Sequence, residues 1–253
     1  MKKRLISYYG PDGRAADAIL GLLFPRRCPV CEKIVVPGGQ LICPDCEQKL
    51  SPVRPPRCLK CGKEIAAEDR EYCQDCSRHP RSFEWGAALF NYNEAASRSM
   101  ARIKYSGRRE YLDFYAKAMA QRLGPALTRM EAQVLVPVPV HPSRLRERGF
   151  NQAAELAWRL GELLGLSVDD ELLVREKKTA RQKDLGPAQR LANLQQAFSV
   201  PEKRRRAGDI PEAVILTDDI YTTGSTIEAC TRVLKAAGVK RVYFAAVCIG
   251  GER

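Results

Sequence analysis

Eight cysteines between Cys28 and Cys76 form four Cys-x-x-Cys pairs: Cys28/Cys31, Cys43/Cys46, Cys58/Cys61 and Cys73/Cys76. Eleven residues separate each pair from the next. Two thiolates three positions apart on a tight turn can reach one tetrahedral zinc ion, and a second such turn completes a four-thiolate shell. Four pairs at equal spacing therefore point to two structural Zn2+ ions. Cys28-Pro-Val-Cys31-Glu-Lys resembles Cys58-Leu-Lys-Cys61-Gly-Lys, and Cys43-Pro-Asp-Cys46 resembles Cys73-Gln-Asp-Cys76. The repeat is thus thirty residues long and holds two unlike turns. It predicts consecutive zinc ribbons, the first on Cys28, Cys31, Cys43 and Cys46, the second on Cys58, Cys61, Cys73 and Cys76. A cross-braced pairing of alternate turns is the other arrangement this spacing permits. Units so small have too little core to fold without metal. Cys230 and Cys248 fall in helix and strand patterns and read as buried small apolar residues.

The second stretch with chemistry is Val214-Ile-Leu-Thr-Asp218-Asp219-Ile-Tyr-Thr222-Thr223-Gly224-Ser225-Thr226. An apolar strand ends in two carboxylates, and a glycine loop with small hydroxyl residues then opens a helix. Backbone N–H groups of Thr222 to Thr226 can converge on a phosphate, aided by the helix dipole. Gly224 lets the backbone approach closely. The two acids cannot bind phosphate, but a vicinal ribose diol offers them two hydroxyl donors. The pattern therefore suits a phosphate monoester on a sugar. No lysine follows the glycine, which excludes a Walker loop. Arg144 and Arg148 follow a proline-stiffened strand end. Arg175 to Arg190 carries six basic residues against two acids and contains Gly186-Pro187.

The elements that must position these residues divide the chain. Residues 1–24 read as an N-terminal segment with a docking helix, in which Ala15, Ile19, Leu22 and Leu23 fall at helical spacing. Residues 25–80 read as the double zinc ribbon. From residue 81 to 253, strand and helix patterns alternate. Strands are expected at Trp85–Tyr92, Val134–Val140, Leu172–Val174, Val214–Thr217 and Arg241–Cys248. Helices are expected at Glu94–Tyr105, Glu110–Met130, Asn151–Leu164 and Thr226–Ala237. Such alternation predicts an α/β domain with a parallel sheet covered on both faces, and ligands beyond the carboxyl ends of its strands.

Of the 253 residues, 45% are hydrophobic and 28% charged, which excludes a disordered chain. No stretch approaches the roughly 18 unbroken apolar residues of a membrane span. The basic start, Met1-Lys2-Lys3-Arg4, is followed by Gly10, Pro11 and charges, not by the core of a signal peptide. A cytoplasmic location is expected, where disulfides do not persist. The formal charge of +12 suggests a polyanionic partner. Two four-thiolate zinc sites would lower it to about +8.

The Asp218–Thr226 segment resembles the motif of type I phosphoribosyltransferases that binds 5-phosphoribosyl 1-diphosphate (PRPP). Pro137-Val-Pro-Val-His-Pro-Ser-Arg144-Leu-Arg-Glu-Arg148-Gly149-Phe150-Asn151-Gln152 resembles the hallmark of the ComF family. So do Arg181-Gln182 with Leu185, then Arg190, Asn193, Ala197 and Phe198. The double zinc ribbon is also typical of ComF proteins, so the resemblance runs from about Leu20 to the end. It implies a type I phosphoribosyltransferase fold that binds PRPP with Mg2+. Asp218 and Asp219 would hold the ribose hydroxyls, and Thr222, Thr223, Gly224, Ser225 and Thr226 the 5′-phosphate. Arg144 and Arg148 would meet the pyrophosphate, with Arg181, Gln182 and Lys183 in a mobile flap. The implied reaction is displacement at C1′ by an unidentified acceptor, and the sequence shows no general base. Thr222 stands where hypoxanthine-guanine phosphoribosyltransferases have a carboxylate, which argues against that specificity. The family name refers to competence, the uptake of DNA, so single-stranded DNA and competence proteins are the other partners implied. An enzyme, a non-catalytic PRPP sensor and a DNA-binding adaptor all remain open at this point.

Overall fold

The structure is a computed structural model that describes residues 25–36, 39–66, 69–132, 134–175 and 194–251. The expected docking helix before residue 25 and the flap residues Arg181, Gln182 and Lys183 lie outside the described residues.

In chain order the elements begin in the ribbons. Helix α1 (Pro44–Glu47) follows Cys43, β1 is Ser51–Pro52, and α2 (Gln74–Arg78) follows Cys73. Then come β2 (Gly86–Asn91), α3 (Glu94–Tyr105), α4 (Leu112–Thr128), β3 (Val134–Pro137), α5 (Pro142–Arg148), α6 (Gln152–Leu164) and β4 (Ser167–Val168). The chain continues through β5 (Val174–Arg175), β6 (Phe198–Ser199), α7 (Glu202–Ala207), β7 (Ala213–Tyr221), α8 (Ser225–Ala236) and β8 (Arg241–Ile249).

The main sheet has the order β1-β2-β8-β7-β3-β4. Its strands run parallel from β2 to β4, as expected, and β1 adds an antiparallel edge. β5 and β6 pair as a separate antiparallel ribbon, so the expected strand at Leu172–Val174 begins two residues later and stays outside the main sheet. Along β7, Ala213 and Ile215 face the side covered by α3, α4 and α6, while Val214 and Leu216 face the side of α8.

Helices start where the sequence supplies caps. Asn93 accepts a hydrogen bond from the Ala96 N–H at 3.0 Å to open α3, and Asn151 does the same for Ala153 to open α6. The proline-stiffened stretch after β3 is a short helix, α5, with Pro142 in its first turn and His141 as its cap. The His141 ring accepts from the Ser143 N–H at 3.1 Å.

The zinc ribbons share both cores. Val30, Ile42 and Cys46 pack with Leu89, Phe90 and Tyr115 on one side of the sheet. Val53, Cys61, Ile65 and Cys73 pack with Phe83, Tyr221 and Phe244 on the other. Between them, β1 pairs with β2, and the Val53 N–H donates to the Leu89 carbonyl at 3.1 Å. The ribbons therefore sit one on each side of a single sheet edge.

Candidate functional site

Two four-cysteine clusters form with the in-order pairing. Cys28, Cys31, Cys43 and Cys46 gather their sulfurs within 4.8 Å of one another, as do Cys58, Cys61, Cys73 and Cys76. Sulfurs around tetrahedral zinc, each about 2.3 Å from the metal, lie about 3.8 Å apart. Here Cys31–Cys43 is 3.7 Å, Cys28–Cys43 is 3.6 Å and Cys61–Cys73 is 3.6 Å. Hydrogen bonds from the thiols of Cys61, Cys73 and Cys76 push Cys58 far down, and those of Cys61 with Cys58, Cys73 and Cys76 push Cys61 far up. Four such thiols cannot all ionise until a cation replaces their protons. Geometry and donor set fit two closed zinc-binding sites, with no position left open for catalysis.

The sites fold on unequal supports. In the second ribbon Lys63 is only 2% exposed, and its ammonium pairs with the Asp75 carboxylate at 2.7 Å. Gly62 has a φ of 72°, and a Cβ there would lie 2.6 Å from the Gly86 carbonyl of β2. That close approach seats the second ribbon on the sheet edge.

The other candidate site lies at the carboxyl end of β7. The strand is longer than expected and runs through both carboxylates to Tyr221. Side chains alternate along a strand, so Asp218 and Asp219 leave it on opposite faces. Asp219 is buried and faces α3 and α6: its Oδ2 pairs with the Lys104 ammonium, and its Oδ1 accepts from Gln152 Nε2 at 3.3 Å. Asp218 is half-buried and accepts from the Asp219 backbone N–H at 2.9 Å. Burial, and then the charge of Asp219, hold its carboxyl well above the usual range. Burial and the charge of Asp218 likewise push up the thiol of Cys230. Cys230 and Cys248 are both fully buried, as expected.

After Tyr221 the chain turns through exposed Thr222 and Thr223 to Gly224, whose φ of 76° caps α8. A Cβ on Gly224 would lie 2.2 Å from the Tyr221 hydroxyl, so only glycine fits. The Tyr221 ring stacks on Phe244 with centroids 4.6 Å apart. Thr223 Oγ1 and Ser225 Oγ lie 3.0 Å apart. The first N–H groups of α8 have no partner within the helix and carry its positive dipole end. The loop is fastened to the segment after the second ribbon: Arg81 donates to the Thr223 carbonyl at 2.8 Å, while the Ser82 N–H and hydroxyl donate to buried Glu228 of α8 at 2.8 and 2.7 Å.

Comparison with known proteins agrees with both halves. Residues 19–77 match the model of the double zinc ribbon domain. The competence protein ComFC of Streptococcus pneumoniae (strain ATCC BAA-255 / R6) is 32% identical over 173 residues, covering 67% of this chain and 71% of that one. This chain belongs to the ComF family. The DNA utilization protein YhgH of Salmonella typhimurium (strain LT2) is 26% identical, over 87% of this ComF chain and 89% of its own. Among solved structures, orotate phosphoribosyltransferase of Aeropyrum pernix aligns over 64% of this chain and 68% of that one, at 16% identity and a TM-score of 0.33. A Mycobacterium smegmatis phosphoribosylpyrophosphate synthetase aligns over 55% of this chain and 33% of that one, with 17% identity and a TM-score of 0.30.

Of the two arginines singled out in the ComF hallmark, the structure connects one to the carboxylates. Arg148 Nη1 donates to Gln152 Oε1 at 3.0 Å, and Gln152 in turn donates to Asp219. The Arg148 guanidinium also lies 5.3 Å from the centre of the Tyr105 ring. Arg144 is instead paired with Glu147 at 3.1 Å on an exposed helix face. Sequence reasoning gave Lys104 no role. The available signal was position: Lys104 closes the last turn of α3, one residue before Tyr105, and α3 follows the strand beside β8. Gln152 stood in the hallmark but was given no role.

Proposed function

We propose that this ComF protein binds PRPP as its Mg2+ complex and transfers the phosphoribosyl group to an acceptor, in a process linked to DNA uptake or use. The observation that carries the reading is the close succession of two carboxylates at a parallel strand end and a glycine-capped helix N-terminus. In it the Thr222–Thr226 N–H groups and hydroxyls hold the 5′-phosphate, and Asp218 and Asp219 accept from the ribose hydroxyls. Arg148, and Arg144 from the same helix, meet the pyrophosphate. Mg2+ bound to the ligand would supply neutralisation of the charge developing on the leaving oxygens, with Arg148 and Arg144 orienting the diphosphate. Pyrophosphate leaves with the C1′–O electron pair. The acceptor forms the new bond to C1′ and loses its proton to solvent. The protein's share is positioning and electrostatic stabilisation. The DNA link rests on relatives named for competence and for DNA utilization.

The test is calorimetric titration of the full chain with PRPP and Mg2+, against the double variant Asp218→Asn/Asp219→Asn. Wild type should bind and the double variant should lose at least tenfold in affinity. Equal binding by both discards this pocket.

A specific observation favours a second reading, a surface for single-stranded nucleic acid. Tyr105 is 65% exposed, with Arg148 over its ring. Nearby Arg109 lies 4.3 Å from the centre of the Phe150 ring. Phe150 itself is buried, so Tyr105 is the ring offered for stacking a base, with the arginines around it placed to neutralise phosphates. Such binding weakens steeply with salt, and a flat salt response in oligonucleotide titrations excludes it.

A further inference from the structure

Lys104 and Asp219 form an ion pair that the fold does not need. The side chains of the pair are 18% and 6% exposed. Removing two charges from water costs several kcal/mol per ion, and a well-packed apolar pair of similar volume serves stability as well or better. The pair also sits where parallel sheets of this kind receive ligands.

Its surroundings point to a ligand and not to packing. Asp219 is held on its other oxygen by Gln152, which accepts from Arg148. Arg148 in turn covers Tyr105, the neighbour of Lys104 on α3. The Arg148 Nε is buried and has no hydrogen-bond partner. Lys104 of α3 thus pairs with Asp219 directly, and Arg148 of α5 reaches the same carboxylate through Gln152, beside the Thr222–Ser225 loop.

We propose that Lys104 is a binding residue for the diphosphate of the ligand, and that Asp219 is its stand-in counter-ion in the ligand-free protein. This inference rests on the ribose-phosphate reading above and deepens it. When PRPP enters, its diphosphate takes the Lys104 ammonium from Asp219. The freed Asp219 oxygen then accepts a hydrogen bond from a ribose hydroxyl. One exchange therefore prepares both ends of the sugar. A ligand with a 5′-phosphate but no diphosphate must compete for Asp219 without offering Lys104 a new anion, so the pair discriminates PRPP from ribose 5-phosphate.

The experiment compares Kd values for PRPP, ribose 5-phosphate and inorganic pyrophosphate, each with Mg2+, in four full-length proteins. Lys104→Met should weaken PRPP and pyrophosphate by about tenfold or more, the scale of a charged hydrogen bond. It should leave ribose 5-phosphate unchanged or tighter. Lys104→Arg should recover a large part of the PRPP affinity. Asp219→Asn should tighten inorganic pyrophosphate several-fold while weakening ribose 5-phosphate. That opposite pair of shifts is one that a merely structural ion pair does not produce. Equal loss for all three ligands in Lys104→Met, or unchanged pyrophosphate binding in Asp219→Asn, overturns the inference. If Lys104→Met does not fold, as judged by its melting curve, the Lys104→Arg and Asp219→Asn arms decide. A wild type that binds PRPP, with a Lys104→Met variant that binds it equally, overturns this inference alone. A wild type that binds none of the ligands overturns it together with the underlying reading.

Discussion

In the first ribbon Cys31 and Cys43 are partly exposed, whereas all four cysteines of the second ribbon are buried. The spacing is the same, and the difference comes from what each ribbon rests on. The first packs Val30 and Ile42 against the core and is also held by long side chains. Arg102 of α3 pairs with Glu32 at 3.0 Å and donates to the Val30 carbonyl, while Arg26 reaches Asp113 of α4 at 2.6 Å. The second is built into the sheet edge. The Gly86 N–H donates to the Lys60 carbonyl at 2.9 Å, and Arg81 and Ser82 run from this ribbon directly onto the Thr222–Ser225 loop and α8. One repeat unit is thus held by packing and clamping side chains, and the other is bonded directly to the candidate site.

That contrast can be broken most forcefully at the metals. Cys61→Ser should cost more stability than Cys31→Ser, because it opens the fully buried cluster beneath Tyr221 and Phe83. Both should reduce zinc content from two ions to one, but only Cys61→Ser should also impair PRPP binding. Melting curves with metal analysis and calorimetry check this, and equal losses for both variants would dissolve the distinction. With a chromophoric chelator, zinc should leave in two phases, and Cys31→Ser should abolish the faster one.

A smaller effect is expected at equivalent lysines of the repeat. Lys63→Met removes the buried partner of Asp75 and should destabilise by about 2–3 kcal/mol, less than a fully buried pair because Asp75 is 49% exposed. Lys33→Met, at an exposed position, should stay within about 0.5 kcal/mol. Denaturant midpoints measured on the zinc-loaded proteins compare them.

Glu228 sharpens the same comparison, since among the described residues the first ribbon shows no counterpart of its bond to Ser82. Burial alone would raise this carboxyl, but the Ser82 N–H and hydroxyl and the Arg232 guanidinium hold it below the ordinary glutamate range. Its contribution is therefore complete above the unfolded-state pKa near 4.5 and is lost as pH falls through the lower folded-state value. Glu228→Gln should cost about 1–2 kcal/mol at neutral pH, and the two stability curves should converge once pH falls below that lowered folded-state value. Parallel curves throughout would remove Glu228 from the link between ribbon and loop. Arg102→Met should cost about 1 kcal/mol or less, with faster zinc release from the first ribbon.

Much of this was legible in local pattern. The boundaries of α3 match the expected Glu94–Tyr105, because a capping asparagine and an apolar period coincide there. The zinc pairing followed from a thirty-residue repeat. The short pieces β1, β4 and β6 were not legible, since two-residue strands carry no period and exist only where a neighbouring strand supplies hydrogen bonds. The end of β7 was misjudged for a related reason: carboxylates are poor strand formers, and pairing with β8 as far as Ile249 overrides that preference.

By itself the sequence determined the metal ligands, the helical and strand patterns, and the glycine at the start of α8, because each depends on residue type at short range. Only the tertiary structure decided which cations are free and which are committed. Lys104 and Asp219 are 115 positions apart in the chain and meet because α3 packs over the end of β7. It also decided that two copies of one ribbon would be unequal. Metal ligation is satisfied within thirty residues, whereas burial is supplied by whatever surface the rest of the fold brings against it.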